Sequence, residues 1–337
     1  MPVRILNQAQ VTELLPMEEC IGLMDGVLRT LASGGAQLPL RSAIRVPGTD
    51  GLFCWMPAQL SAPAALGLKV ISVFPGNEGT PLDSHQGVVL LVDPATGAPI
   101  AMMDASSITA IRTAAVSAVA TRVLAREQAS DLAILGSGVQ ARAHLEAMSA
   151  VRRLARVRVW SPNAGRVAEF VGWARKRLGI RVEPAPGPRE AVAGADIICT
   201  TTSSSTPVLQ GEWIAPGAHI NAVGSSIPSA RELDTVAVAR SRLFVDRRES
   251  AANEAGDFLI PLREGAIAES HLLGELGDVL LGTLAGRTGP QDITLFKSLG
   301  IAVEDLAAAH HVLAKAEARG IGVVTELGGL RHSGGGA

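Results

Sequence analysis

Residues 131–148, "DLAILGSGVQARAHLEAM", run from a short apolar segment through Gly136-Ser-Gly138-Val-Gln-Ala141 into a helix-like stretch. This is G-x-G-x-x-A between a strand and a helix, the arrangement that cradles a dinucleotide. Gly136 permits the tight turn. Gly138 lets the backbone approach a pyrophosphate at the helix N-terminus, where unpaired N–H groups and the dipole favour an anion. A second kind of residue invites chemistry. Arg45 in "AIRV", Lys69 in "LGLKVIS" and Arg112 in "TAIRTAA" are single cations in otherwise apolar segments. A buried cation is costly unless it is paired. Each therefore meets an acid of the fold, or several converge on a small anion such as a carboxylate.

The cofactor choice is read about 20 residues after the glycines, where an acidic residue holds the ribose 2′-OH in NAD-selective sites. That place reads Trp160-Ser161-Pro162-Asn163-Ala164-Gly165-Arg166, and the first acid is Glu169. With no carboxylate to repel a 2′-phosphate and Arg166 able to pair with one, NADPH is expected, with NADH as the alternative.

The elements that must position these residues fall into two textures. Before residue 131, "PMEECIGLMDGVLRTLASG" has helical spacing, followed by strand-like "LPLRSAIRV", "GLFCWMPAQL" and "ALGLKVISVF". "GVVLLVDPATGAPIAMMD" reads as a hairpin turning at Pro94–Gly97, and "SSITAIRTAAVSAVATRVLA" as a long helix. From Asp131 on, "DLAILG", "RVRVWS", "ADIICTTT", "AHINAVG" and "SRLFVD" alternate with helices, which predicts a doubly wound parallel sheet of α/β class. "TLFKSLGIAVEDLAAAHHVLAKAEARG" reads as a long helix near the end.

Bulk properties exclude several classes. At 337 residues the chain has room for two domains, and 47% hydrophobic residues suits a packed core. A net charge of −2 gives no reason to expect nucleic acid. No apolar run of about 18 residues lacks a charge or turn signal, so no membrane span is expected. The start "MPVRILNQAQ" lacks a signal-peptide core. Cys20, Cys54 and Cys199 are odd in number, without metal-ligand spacing, and read as reduced cytoplasmic thiols; no metal site is expected. With no tyrosine present, acid catalysis by a phenol is excluded.

Four long motifs carry a resemblance. "DPATGAPIAMMDASSITAIRTAA" (93–115), "LGSGVQARAHLEAM" (135–148), "PGAHINAVGSSIPSARELD" (216–234) and "TLFKSLGIAVEDLAAA" (294–309) resemble the ornithine cyclodeaminase/μ-crystallin family in order and spacing. The resemblance implies a Rossmann-type domain over 119–304, inserted into an α+β substrate-binding and dimerisation domain made of 1–118 and 305–330. Residues 331–337 are expected to be a disordered tail. It also implies a homodimer with its active site between the domains.

The resemblance places Arg45, Lys69 and Arg112 on the substrate carboxylate, with Lys69 as the proton mediator. In a dry, cation-rich site the Lys69 pKa should fall. Ser84, His85 and Thr113 match positions near the nicotinamide, and His85 is a second candidate proton donor that also borders the substrate. Val139 and Gln140 would meet the pyrophosphate, and Ser161, Asn163 and Arg166 the adenosine ribose. Thr200, Thr202, Val223, Gly224 and Ser298 complete the cofactor set, with Arg112 beside it. Cyclodeaminases carry an aspartate, thought to act as a base, where this chain has Ser226. A hydroxyl has no charge at neutral pH and is a poor base unaided. Ser226 therefore resembles the μ-crystallin and Δ1-pyrroline-2-carboxylate reductase members, and the expected activity is NAD(P)H-dependent reduction of a small cyclic imino acid. The alternatives are an amino-acid cyclodeaminase, an alanine- or opine-type dehydrogenase, and a cofactor-dependent binding protein.

Overall fold

The computed structural model describes residues 1–77 and 79–329, and the expected tail at 331–337 lies outside them. The chain divides into two compact units. One comprises Met1–Pro16, Gly34–Thr109 and the segment from Ile301 onward; the other comprises Met17–Ser33 and Ala110–Gly300.

The first unit is built on one sheet. Its strands are β1 (Pro2–Leu6), β2 (Ala36–Gln37), β3 (Ser42–Arg45), β4 (Leu52–Ser61), β5 (Ala64–Val73), β6 (His85–Val92) and β7 (Pro99–Asp104), with a last strand at Val323–Glu326. The order is last strand, β1, β7, β6, β5, β4, β2, and β3 also pairs with β4. β4 alternates strictly, burying Cys54, Met56, Ala58 and Leu60. That period of two fixes which residues share a face. The helix Ala302–Arg319 packs on β4, β5 and β6.

The second unit carries a fully parallel sheet. Its strands are β8 (Asp131–Leu135), β9 (Arg156–Trp160), β10 (Glu183–Pro184), β11 (Ile197–Thr200), β12 (His219–Ala222), β13 (Ser241–Val245), β14 (Leu272–Glu275) and β15 (Ile293–Lys297). The order β10-β9-β8-β11-β12-β15-β13-β14 reverses direction between β8 and β11. Its central strands β11, β12 and β15 are buried at every position, the polar His219, Asn221, Thr294 and Lys297 included. The doubly wound α/β class expected from the sequence is the observed one.

Two boundaries differ from the expected ones. Residues 294–297 were expected to be helical and instead form most of β15, between β12 and β13. A short, wholly buried strand has no periodicity to tell it from a helix. Gly300, in the left-handed region at φ +73, ends the stretch, and the helix starts at Ala302. The helix Met17–Ala32, assigned by texture to the N-terminal domain, falls in the second unit and packs on the helix Leu276–Leu281. Gly277 permits this approach: a Cβ there would lie 2.5 Å from the Leu28 carbonyl oxygen and 2.7 Å from the Ala32 Cβ.

The helix Ala105–Leu124 is long and apolar enough to cross a membrane by length and composition, yet most of it is buried in the protein. Replacing Gly277 with Ala should force these helices apart, at a cost of about 1–3 kcal/mol. The check is a lower denaturant midpoint with an unchanged slope.

Candidate active site

Open parallel sheets bind ligands where their strand order reverses, which here falls between β8 and β11. Gly136 follows β8 there at φ +119, and a Cβ would sit 2.7 Å from both the carbonyl and hydroxyl oxygens of Thr201. No other residue fits this turn without displacing the backbone after β11. Gly138 starts the helix Val139–Val151 and offers no side-chain cap, so its first N–H groups are left for an anion. Val139 is exposed beside it. Gln140 holds the next turn: its carbonyl oxygen lies 2.7 Å from His144 Nδ1, and its Oε1 is enclosed without a hydrogen-bond partner. Burial pushes His144 down to about 4, so the ring is neutral at pH 7. Two features fit a dinucleotide: a turn too tight for a Cβ and an uncapped helix start.

β9 ends at Trp160 with no carboxylate, as expected from the sequence. Ser161 is half-buried. Asn163 caps the helix Ala164–Leu178, its Oδ1 accepting the Arg166 N–H at 3.1 Å. This employs the Asn163 oxygen in the fold and sets Arg166 on the exposed first turn.

The loops after β11 and β12 are tied together by Glu232, which no sequence pattern singled out. It is fully buried. Its Oε2 accepts the Thr200 hydroxyl and the Gly224 N–H, both at 2.7 Å. Its Oε1 accepts the Thr202 N–H at 2.6 Å and the Thr202 hydroxyl at 2.7 Å. Four donors fill the acceptor sites of one ionised carboxylate. Burial pushes the Glu232 pKa up and the nearby Asp257 charge adds to this, while the Lys297 ammonium and the donated hydrogen bonds oppose it. Lys297 in turn pairs with Asp257 at 3.1 Å, both side chains being buried. Thr200 and Thr202 thus hold their own loops through Glu232. Gly224 lies so close that a Cβ would come within 2.0 Å of the Thr202 carbonyl oxygen. Val223 and Ser226 flank it, half-buried.

Arg112 and Thr113 are buried on the helix Ala105–Leu124. The Arg112 guanidinium lies on Gly300, where a Cβ would fall 2.6 and 2.8 Å from its two terminal nitrogens. Gly300 is required twice, for its positive φ and for this contact. The turn is pinned by the buried Asp246, whose Oδ2 accepts the Leu299 N–H at 2.6 Å and the Gly300 N–H at 2.8 Å. Ser298, in the same turn, is buried with an Oγ that has no hydrogen-bond partner.

In the other unit, strand register places three predicted residues on one face. Met56, Lys69, Val89 and Met103 lie opposite one another across β4, β5, β6 and β7, and Arg45, Leu52, Val73 and His85 form a parallel row. Arg45 and His85 are exposed, whereas Lys69 is buried. Ser84 Oγ lies 3.2 Å from His85 Nδ1. Although the residue is exposed, partial enclosure of its ring is the chief reason the His85 pKa is lowered; Asp83 opposes this and Lys69 adds to it.

Lys69 is dry, and its site also holds an acid: its Nζ lies 3.0 and 3.1 Å from the two carboxylate oxygens of Asp305 on the helix Ala302–Arg319. The opposite charge at that distance works against the effect of burial on the ammonium. No local pattern in "GIAVEDLAAA" marks Asp305, because its partner lies 236 positions away. Among the described residues no group of three His, Cys, Asp or Glu side chains is arranged to hold a metal ion.

A doubly wound sheet with a glycine turn and an uncapped helix start at its reversal point is the architecture of dinucleotide-dependent oxidoreductases. The chain belongs to the ornithine cyclodeaminase/mu-crystallin family, whose model matches residues 2–320. It is 36% identical over 319 residues to a Delta(1)-pyrroline-2-carboxylate reductase of Bacillus cereus, covering 94% of this chain and 98% of that one. It is 41% identical to the ketimine reductase mu-crystallin of Mus musculus, covering 82% of this chain and 84% of that one. Its fold matches Thermococcus litoralis Delta(1)-pyrroline-2-carboxylate reductase, solved in complex with NADH and L-proline. The TM-score is 0.93 at 39% identity, covering 95% of this chain and 99% of that one.

Glu232→Gln keeps the shape of the clamp and replaces one acceptor with a donor facing donors. Leaving buried N–H groups unsatisfied costs about 1–3 kcal/mol. Amide hydrogen exchange at Thr202 and Gly224 should therefore accelerate by about 5- to 150-fold. Unchanged exchange would show that the loops hold without the clamp.

Proposed function

We propose that this chain reduces cyclic ketimines with NAD(P)H, converting Δ1-pyrroline-2-carboxylate to L-proline and its six-membered counterpart, Δ1-piperideine-2-carboxylate, to L-pipecolate. The observation that carries the reading is the buried, acid-paired Lys69 ammonium, on the same sheet face as Arg45 and His85, in a chain whose other unit has a dinucleotide crevice. Similarity to the named reductases gives the substrate class.

When bound, the reduced nicotinamide supplies a hydride. The chain's own residues do the rest. Arg45 and Arg112 take the substrate carboxylate, for which a guanidinium fork is the matching donor. Lys69 faces the imine nitrogen as an acid. Ser226 hydrogen-bonds the substrate or a water; as a neutral hydroxyl it provides no base for expelling ammonia. His85, with Ser84 beside it, borders the ring. Gly136, Gly138, Val139 and Gln140 meet the pyrophosphate, and Ser161, Asn163 and Arg166 the adenosine ribose. Thr113, Thr200, Thr202, Val223, Gly224 and Ser298 surround the nicotinamide half, with Thr200 and Thr202 acting partly through Glu232. The unsatisfied Ser298 Oγ is suited to a ligand hydrogen bond. With no acid at the end of β9 and Arg166 exposed, NADPH is the preferred form and NADH the second.

Residues 1–118 with 305–330 then act in substrate binding and dimerisation, with most of the sheet unit among them, and 119–304 in dinucleotide binding, with most of the parallel-sheet unit among them. Pairing of two copies is supported by the sheet face opposite the Lys69 row. There Ile44 and Phe53 are 55% and 43% exposed, and their neighbours Trp55, Val70 and Val88 are half-buried. A cytoplasmic setting is consistent with three buried cysteines without a disulfide.

The test is a panel of both ring sizes with NADPH and NADH. Turnover of the five-membered ketimine, faster with NADPH, and no ammonia from L-ornithine are expected. No reduction of either ketimine with either cofactor overturns the reading. Arg45→Ala should raise KM by about 10- to 100-fold, the worth of a charged hydrogen bond, with kcat little changed.

A further inference from the structure

Lys69 and Asp305 have side chains 3% and 0% exposed, so neither charge is shared with bulk water. Asp305 lies in the first turn of its helix, where the dipole and the unpaired N–H groups favour a negative charge. Its neighbour Glu304, also buried, bends back to the helix start, with Oε2 accepting the Ile301 N–H at 3.3 Å. The two acids therefore have separate tasks: Glu304 closes the helix, and Asp305 reaches the sheet. The strand neighbours of Lys69 on its own face are Met56 and Val89, both apolar. Among the described residues, the other charged or titratable groups on that face include His85 from β6, with Asp83 before it, Arg45 from β3 and the Cys54 thiol from β4.

Resting on the ketimine reductase reading, we propose that Asp305 is a positioning residue for the reduction. Its carboxylate grips the Lys69 side chain through both oxygens and keeps it an ammonium, so that Lys69 delivers the proton to the imine nitrogen. A proton passes from Nζ to that nitrogen, leaving a neutral amine on Lys69. The hydride then forms a new C–H bond at the imine carbon as the C=N π pair becomes the nitrogen lone pair. The cofactor is oxidised, the substrate is reduced to a secondary amine, and water restores the proton to Nζ. The reverse oxidation would need Lys69 without that proton, so the Asp305 carboxylate biases the site toward reduction at neutral pH.

The chain has only four lysines, so 15N-lysine labelling gives Nζ signals that Lys69→Arg can assign. In the wild type the Lys69 Nζ should remain protonated through pH 9. In Asp305→Asn its titration should move down by about one pH unit or more, the effect of losing an adjacent opposite charge. The alkaline limb of kcat for ketimine reduction should move with it, and Asp305→Glu should restore both. A neutral Lys69 at pH 8 in the wild type overturns the proposal, and this readout does not depend on the Asp305→Asn protein folding. An Asp305→Asn protein with uniformly lower kcat and an unmoved limb also overturns it, since that is the signature of a structural role. A wild type that reduces no ketimine defeats the functional reading, while the Nζ titration still reports whether Asp305 holds the proton.

Discussion

An ammonium group cannot remain in a dry interior alone. In this chain Lys69 is enclosed between apolar strand neighbours, and the fold answers with Asp305 from a helix 236 positions later. Removing one partner of such a buried pair costs about 3–5 kcal/mol, because the other charge is stranded. The pair therefore ties the helix Ala302–Arg319 to the sheet and gives the buried Lys69 its counter-charge. Gly300 and the start of that helix at Ala302 set where Asp305 falls.

The parallel-sheet unit uses buried carboxylates in a different way. Glu232 and Asp246 commit their oxygens to hydrogen-bond donors of loops that border the crevice. An acid with every lone pair filled by such donors is a scaffold element, not a base. Asp305 instead sets both oxygens on the Lys69 ammonium. The same chemical group thus satisfies backbone and hydroxyl donors in one unit and a buried cation in the other. Ser226, which stands where cyclodeaminases are expected to have an acid, leaves its loop without a carboxylate of that kind.

Much of this was legible in the sequence because it rests on local patterns. The glycines at 136 and 138, the strand–helix alternation after residue 131 and the single cations of apolar strands all follow from spacing within a few residues. The strand Ile293–Lys297 was not legible, because a short strand buried on both faces has no alternation. Nor were Glu232, Asp246 and Asp305, since an acid inside "RELD", "FVDRR" or "VEDLA" looks like any surface charge until its partner is known. Lys69 shows the same limit: the lysine and its dry setting were visible, and its counter-charge was not. A lone buried cation should be read as a demand for an acid, and the sequence could not say which acid met it.

The most direct measurement is a crystal structure of the chain with NADH and L-proline. The account predicts the proline ring nitrogen within hydrogen-bond reach of Lys69 Nζ, with Asp305 still in contact with that same Nζ. Proline bound with its ring nitrogen turned away from Lys69, or with the Lys69–Asp305 pair broken, would contradict it.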